Sequence, residues 1–177
     1  YLNVMSISSD EINKWYKDGA LDSEYPIHED TEVKNWECYT YLGKRISLYP
    51  FTKRAIINLY NEIDVHKTPR YILRKIIEPA VDGIIKDKKM FPGYLLSKKP
   101  NLDFVIVDRI KSTITNMQLT QEEKGVLTER VLTIMSYWGD GTLDTRKNGF
   151  IGAIGYNVFV EFELVGFAEK ILGKAID

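Results

Sequence analysis

The arrangement of apolar and polar positions between residues 48 and 85 predicts two consecutive helices. Thr52 is placed to cap the first, and apolar residues follow it at helical spacing: Ile56, Leu59, Tyr60 and Ile63. Thr68 caps the second, and Pro69 takes its first position, where a missing N–H group costs nothing. The second helix carries an apolar stripe for burial, which consists of Ile72, Leu73, Ile76, Ile77, Ala80, Val81, Ile84 and Ile85. We expect Pro79 to kink this helix, because its ring clashes with the carbonyl of Lys75.

The sequence before this helix pair predicts a short helix and a hairpin. Within residues 1–24 the helix begins near Ser9, which precedes two acidic residues, and it ends near Gly19. Two β-favouring runs on either side of Gly43-Lys44 predict the hairpin.

The sequence after residue 101 is mainly helical again. An amphipathic pattern predicts a helix over 104–117, and the capping box formed by Thr120 and Glu123 opens the next. Residues 157–165 fit a strand or a helix, and we favour a helix. A short final helix is expected at 167–175.

These elements predict a mainly α fold with a small β-hairpin, arranged in three segments. Residues 1–86 hold the N-terminal helix, the hairpin and the helix pair. Residues 87–100 are interpreted as a basic connector, because they contain two prolines, a Pro-Gly turn signal and several lysines. Residues 101–177 combine helices with turn-rich, strand-capable sequence, which is compatible by analogy with a winged-helix-like arrangement.

Arg70 is the residue whose position indicates a function. It falls in the first turn of the second helix, where the positive end of the macrodipole disfavours a cation by about 0.3–1 kcal/mol. A negative group should therefore lie nearby, and the free N–H groups of a helix start bind anions. Lys67 and Arg74 are close enough in sequence to add to the field of this candidate phosphate site. The alternative is a solvated arginine or an ion pair with a neighbouring carboxylate, Glu62 or Asp64.

The stretch LYPFTKRAIINLY…TPRYILRKIIEPAV resembles the helical lid that follows the nucleotide-binding core in AAA+ and STAND-type P-loop ATPases. In that lid, a helix beginning with Pro-Arg or Ala-Arg carries the arginine called sensor 2, which reaches the terminal phosphates of ATP. The resemblance implies this role for Arg70, with Thr68 and Pro69 setting the helix start. Within that group, the sequence of this stretch resembles in particular large ATPases of bacterial defence systems, including the DptF type of DNA phosphorothioation-dependent restriction.

The resemblance implies a lid that does not hydrolyse ATP by itself. The sequence has no GxxxxGK[ST] loop, and we expect the Mg²⁺-binding carboxylate and the sheet that carries it to be missing too. A preceding P-loop domain, the implied partner, would supply ATP with Mg²⁺. Because the chain begins at Tyr1 and not at methionine, we expect a fragment of something longer or an ordered part of it.

Composition excludes some classes of function. The 24 basic and 25 acidic residues give a net charge of −1, which argues against a general nucleic-acid or anionic-membrane binder. No apolar run approaches the roughly 20 residues that a membrane helix needs. The single cysteine, Cys38, cannot form an intrachain disulfide, which fits a reducing cytoplasm. We therefore expect a cytoplasmic location and no membrane partner.

Two alternatives to the lid stay open. The first is a small helical DNA- or protein-binding module without nucleotide, in which basic residues contact phosphate: Lys88, Lys89, Lys98 and Lys99 of the connector, or Arg146 and Lys147. Phe91 and Tyr94 would stack bases, although a solvated basic loop also explains this composition. The second alternative is a scaffold or homo-oligomerisation piece with no ligand of its own.

The sequence predicts no catalytic residue and no metal site. His28 and His66 have no partner at zinc-site spacing. Cys38 has no helix start or basic neighbour in sequence to make it reactive. The regularly spaced glycines do not enter a βαβ unit, so we interpret them as turn and close-packing positions: Gly149, Gly152 and Gly155.

Overall fold

A computed structural model of the chain describes residues 7–27, 36–41, 43–63, 68–95 and 102–173. These residues are mainly helical and include a small antiparallel hairpin, which confirms the predicted fold class. The chain divides into two compact units, Tyr1–Thr52 and Lys53–Asp177, which we call the N-terminal and C-terminal units.

The first helix of the N-terminal unit is α1 (Ser9–Lys17). Its N-cap is Ser8, one residue before the predicted start, and a capping box fixes it. The Ser8 hydroxyl accepts from the Glu11 N–H at 3.2 Å, and the Glu11 carboxylate accepts from the Ser8 N–H at 3.0 Å. The helix is followed by a turn at Gly19, whose φ of 104° suits glycine. A 3₁₀ turn spans Asp22–Glu24.

The predicted hairpin is present in the same unit. Strands β1 (Cys38–Tyr41) and β2 (Lys44–Ser47) pair antiparallel, with Cys38 opposite Ser47. Trp36, just before β1, is buried, and its indole N–H donates to the Phe51 carbonyl at 2.7 Å.

The C-terminal unit begins with α2 (Lys53–Asn61), directly after the predicted cap Thr52. Ala55 and Leu59 form its buried face. The Asn58 side-chain amide donates to the Tyr137 carbonyl at 2.8 Å, which attaches α2 to the middle of the unit.

The second helix of the predicted pair is continuous but changes its geometry. It consists of α3 (Pro69–Ile72), a π-helical segment (Leu73–Ile77) and α4 (Glu78–Asp87). The predicted disturbance at Pro79 takes the form of this wide segment just before it, because proline donates no N–H and its ring needs room in the preceding turn. The wide turn also rotates the helix face, so Leu73, which we assigned to the buried stripe, is 41% exposed.

The predicted connector 87–100 does not coincide with the division between the units. Its Phe91 is only 1% exposed, and its ring contacts Phe162 and Trp138 edge-to-face, with centroid separations of 4.9 and 5.9 Å. A 3₁₀ turn follows at Gly93–Leu95. The described part of the connector therefore belongs to the core of the C-terminal unit.

Helix α6 (Gln121–Tyr137), the longest α-helical element among the described residues without a π-helical segment, lies at the centre of this core. It follows α5 (Phe104–Thr115), and the predicted capping box of Thr120 and Glu123 opens it. Every residue from Arg130 to Met135 is buried, so the C-terminal half of α6 is surrounded on all sides.

A short hairpin and two helices complete the C-terminal unit. Strands β3 (Phe150–Ile151) and β4 (Ile154–Gly155) pair antiparallel. Helix α7 (Tyr156–Glu161) confirms the helix that we favoured for the ambiguous segment 157–165 up to residue 161, a turn follows at 162–163, and α8 (Val165–Leu172) comes next. The winged-helix-like arrangement of this part stays a prediction.

Candidate functional site

The start of α3 has the local structure that the sequence predicts. Thr68 is the N-cap, and its hydroxyl accepts from the Tyr71 N–H at 3.4 Å, while Pro69 occupies the first helical turn. Arg70 is exposed in that first turn, beside the positive end of the helix. The helix start therefore presents a guanidinium to solvent.

Arg70 is not attached to an internal carboxylate in the described part of the chain. No ion pair joins it to Glu62, the alternative partner, whereas Asp64 lies outside the described residues. Of the two neighbouring cations in the candidate phosphate site, Arg74 is exposed in the π-helical segment, and Lys67 also lies outside the described residues. With respect to the described residues, Arg70 and Arg74 are thus open to an external anion.

The connector lysines have different environments. Lys88 makes an ion pair with Glu161, with 3.2 Å between its ammonium nitrogen and the carboxylate oxygen. Lys89 is exposed and lines a cavity. Lys98 and Lys99 lie outside the described residues. The two described lysines therefore do not form a free basic patch, because one is neutralised and the other stands among carboxylates.

The cavity is a feature that sequence reasoning missed. It encloses about 530 Å³ in the C-terminal unit, between the end of α4, the N-terminal half of α6 and the start of α8. Its wall is mainly apolar, with side chains that include Met90, Met117, Leu119, Val126, Leu127 and Phe167. A volume of this size lies within the range of about 300–1,000 Å³ typical of ligand pockets.

Arg130 forms part of the cavity wall and joins three segments of the unit. It is only 7% exposed. Its Nε donates to the Phe91 carbonyl at 2.7 Å, and a terminal nitrogen donates to the Phe162 carbonyl. Burial lowers the pKa of Arg130, whereas the nearby carboxylates of Glu163 and Asp87 oppose that shift. The guanidinium thus holds the connector and the end of α7 onto α6, and two acidic groups offset its charge.

The remaining polar groups around the cavity are mainly acidic. Four carboxylates line it, against two cations, Arg130 and Lys89. The carboxylates are those of Asp87, Glu122, Glu123 and Glu163. The cavity therefore combines apolar walls with a net negative charge.

The environment of Cys38 differs from the sequence-based expectation. Arg45 lies on β2, which pairs with β1, the strand of Cys38. A guanidinium nitrogen of Arg45 lies 3.7 Å from the Cys38 sulfur. Sequence reasoning missed this basic neighbour because cross-strand pairing creates it.

Among the described residues, no group of three or more His, Cys, Asp or Glu residues is arranged to hold a metal ion. Among the same residues, no helix combines the length and the apolar character needed to cross a membrane.

Comparison with protein-family models, with curated proteins and with solved structures finds no match for this chain.

Proposed function

We propose that this chain is the C-terminal helical lid, with an appended helical part, of a AAA+ or STAND-type ATPase. The observation that carries the proposal is Arg70, exposed in the first turn of a proline-initiated helix and without an ion pair to any described residue. A cation at this end of a helix is disfavoured until an anion joins it. The terminal phosphates of ATP provide such an anion, and a guanidinium binds phosphate oxygens in a bidentate fork.

Each residue of the site has a distinct role in this proposal. Arg70 binds the β- and γ-phosphates and stabilises charge that develops there during hydrolysis. Thr68 and Pro69 fix the helix start, while Arg74 and Lys67 add positive potential. ATP and Mg²⁺ are held by a preceding P-loop domain, so the lid does not hydrolyse ATP by itself.

The helix that begins at Pro69 couples the phosphate site to the core. It runs without a break from Pro69 to Asp87, and the chain then enters the core at Phe91, whose carbonyl Arg130 holds. A contact at Arg70 therefore acts on a helix whose far end is fixed to the core, which suits a lid that closes as one body. We extend the proposal to an ATPase of bacterial defence or DNA restriction. The support for this extension is the resemblance of residues 48–85 to such ATPases.

The proposal is tested in the complete protein that contains this chain. Arg70→Ala should lower ATP turnover by about 100–1,000-fold, the range typical of the loss of one donor to charge that develops in the transition state, and leave the circular dichroism spectrum unchanged. Arg54→Ala is the matched control, because Arg54 is also an exposed arginine in a first helical turn. Unchanged turnover in Arg70→Ala, or an equal loss in both variants, contradicts the proposal. A GK[ST] loop encoded upstream of Tyr1 is a further requirement.

The DNA-binding alternative has less support among the described residues. Lys88 is paired with Glu161, and the charged groups around the cavity beside Lys89 are mainly carboxylates, which repel phosphate. A titration with duplex DNA over a salt series separates the alternatives, because binding through phosphate contacts weakens steeply as salt rises.

A further inference from the structure

We propose that the cavity between α4, α6 and α8 is a docking groove for a basic amphipathic helix of a partner protein. The groove would take two helical turns of the partner, with the partner's apolar side chains inside and its Lys or Arg residues against the acidic rim. This inference does not rest on the nucleotide role of Arg70, because none of its residues belongs to the start of α3.

The dimensions of the groove fit a helix. The lining residues of α6 extend from Glu122 to Arg130, which corresponds to about 12 Å at 1.5 Å per residue. Two turns of a helix cover about 11 Å and project apolar anchors at positions i, i+3 or i+4, and i+7. The groove is therefore long enough for about three anchors on one helix face.

The chemistry of the wall is typical of surfaces that receive helices. Met90 and Met117 line the cavity together with other apolar residues that include Leu127 and Phe167. Methionine is flexible and polarizable, so it adapts to the shape of an incoming apolar side chain. Met90 is 38% exposed, which leaves a large apolar side chain in contact with water until a partner covers it.

The charge of the rim selects a basic partner. Glu122 and Glu163 are exposed and make no ion pair with a described residue. The Arg130 guanidinium is buried and donates to two carbonyls, and the four carboxylates outnumber Arg130 and Lys89, so the cavity keeps a net negative charge. Lysine or arginine residues beside the apolar face of a helix would reach these carboxylates, which would steer association and fix orientation.

The backbone at Glu163 supports a role for its carboxylate. Glu163 has a φ of 54°, in the left-handed region at the end of α7, where glycine is the least strained residue. Strained backbone conformations cluster at active sites and ligand-binding sites. Here the strained residue puts a carboxylate at the cavity beside Arg130.

The experiment measures binding of designed peptides to the whole chain by fluorescence anisotropy. The probe is a labelled 14-residue peptide of leucine and lysine, with leucine at helical positions i, i+3, i+4, i+7 and i+8. A scrambled peptide of the same composition has no apolar face. We expect the helical peptide to bind at least tenfold more tightly than the scrambled one.

The variants locate the binding site. Glu122→Gln together with Glu163→Gln should weaken binding of the helical peptide at least tenfold. The matched control is Asp108→Asn with Glu129→Gln, which removes the same charge from exposed side chains outside the cavity and should leave affinity unchanged. Circular dichroism of each variant verifies the fold.

Four outcomes overturn the proposal. They are no binding of the helical peptide, equal binding of both peptides, an equal loss of affinity in the control variant, and displacement of the peptide by an equimolar small apolar cation such as tetrabutylammonium. The last would assign the cavity to a small molecule.

Discussion

At the scale of single residues, Arg130 shows how far the sequence determines the core. The helical pattern of α6 predicts a buried face that includes Val131 and Ile134, and both are fully buried. Arg130 lies next to that face, where a charged residue is normally assigned to solvent. Its burial depends on the carbonyls of Phe91 and Phe162, which are 39 and 32 residues away in sequence. A local sequence pattern cannot predict hydrogen-bond partners that are so distant in sequence.

Ala153 is a residue at which the chain holds a conformation that its side chain disfavours. It forms the β3–β4 turn together with Gly152, and both residues have positive φ, 65° and 52°. Ala153→Gly should raise the free energy of unfolding by about 0.5 kcal/mol, because relief of about 1–2 kcal/mol of left-handed strain exceeds the added entropy of the unfolded chain. Urea denaturation measures the difference.

The same substitution at Ala168 provides the control. Ala168 is fully buried within α8, so Ala168→Gly should lower the free energy of unfolding by about 1 kcal/mol or more. Destabilisation by both substitutions would contradict the strained turn.

Asp144 should titrate at an unusually low pH. The Arg146 side chain, and then its backbone N–H, donate to the carboxylate and lower the pKa of Asp144 to about 2. Because the folded pKa lies below the unfolded value of about 3.9, the stability contributed by this pair is complete above that value and is lost as the pH falls towards 2.

Nuclear magnetic resonance of the Asp144 carboxyl carbon measures this pKa. Arg146→Ala should raise the midpoint towards 3.9, while Lys147→Ala, which removes the adjacent cation, should leave it nearly unchanged. A midpoint that is insensitive to Arg146→Ala would show that the pair does not form in solution.

At the scale of elements, the sequence predicted where helices begin but predicted their irregularities only in part. Capping residues and apolar spacing correctly predicted the start of α3 and of α6, because both signals are local. Pro79 indicated a disturbance but not its form, since the choice of a π segment depends on how α4 packs. The exposure of Leu73 follows from that choice.

The contact between α4 and Tyr94 gives a prediction at this scale. A Cβ atom added to Gly83 would overlap the Tyr94 hydroxyl group, which donates to the Ala80 carbonyl at 3.2 Å. Gly83→Ala should therefore lower the free energy of unfolding by about 1–2 kcal/mol, because the ring is displaced and this hydrogen bond is lost.

Two further variants test the cause of that effect. In the described part of the chain, no atom beyond the adjacent residues and the helix's own backbone lies within 4 Å of the position that a Cβ atom would take on Gly125 in α6, so Gly125→Ala should raise the free energy of unfolding by about 1 kcal/mol. In a Tyr94→Ala background, Gly83→Ala should also become stabilising, because the clash is removed. If Gly83→Ala stays destabilising in that background, Tyr94 is not its cause.

At the scale of the whole molecule, the sequence predicted the fold class but not the organisation. The predicted connector gave a division at residues 87–100, whereas the compact units divide after Thr52. The lysines and prolines of residues 87–100 give this segment the composition of a linker, but its Phe91 packs into the core. The cavity was also missed, because its wall comes from three separate segments. In the described part of the predicted phosphate site, Arg70 and the capped start of its helix have the expected local structure.

The central claim, that Arg70 binds the terminal phosphates of a nucleotide, is tested most directly by two affinities measured in the complete protein. Isothermal titration gives the Kd for a non-hydrolysable ATP analogue and for AMP, which lacks the β- and γ-phosphates. Arg70→Ala should weaken binding of the analogue by about 10–100-fold, the value of a charge-assisted contact of about 1.5–3 kcal/mol, and leave the Kd for AMP unchanged. An equal change in both Kd values, or no change in either, would contradict the claim.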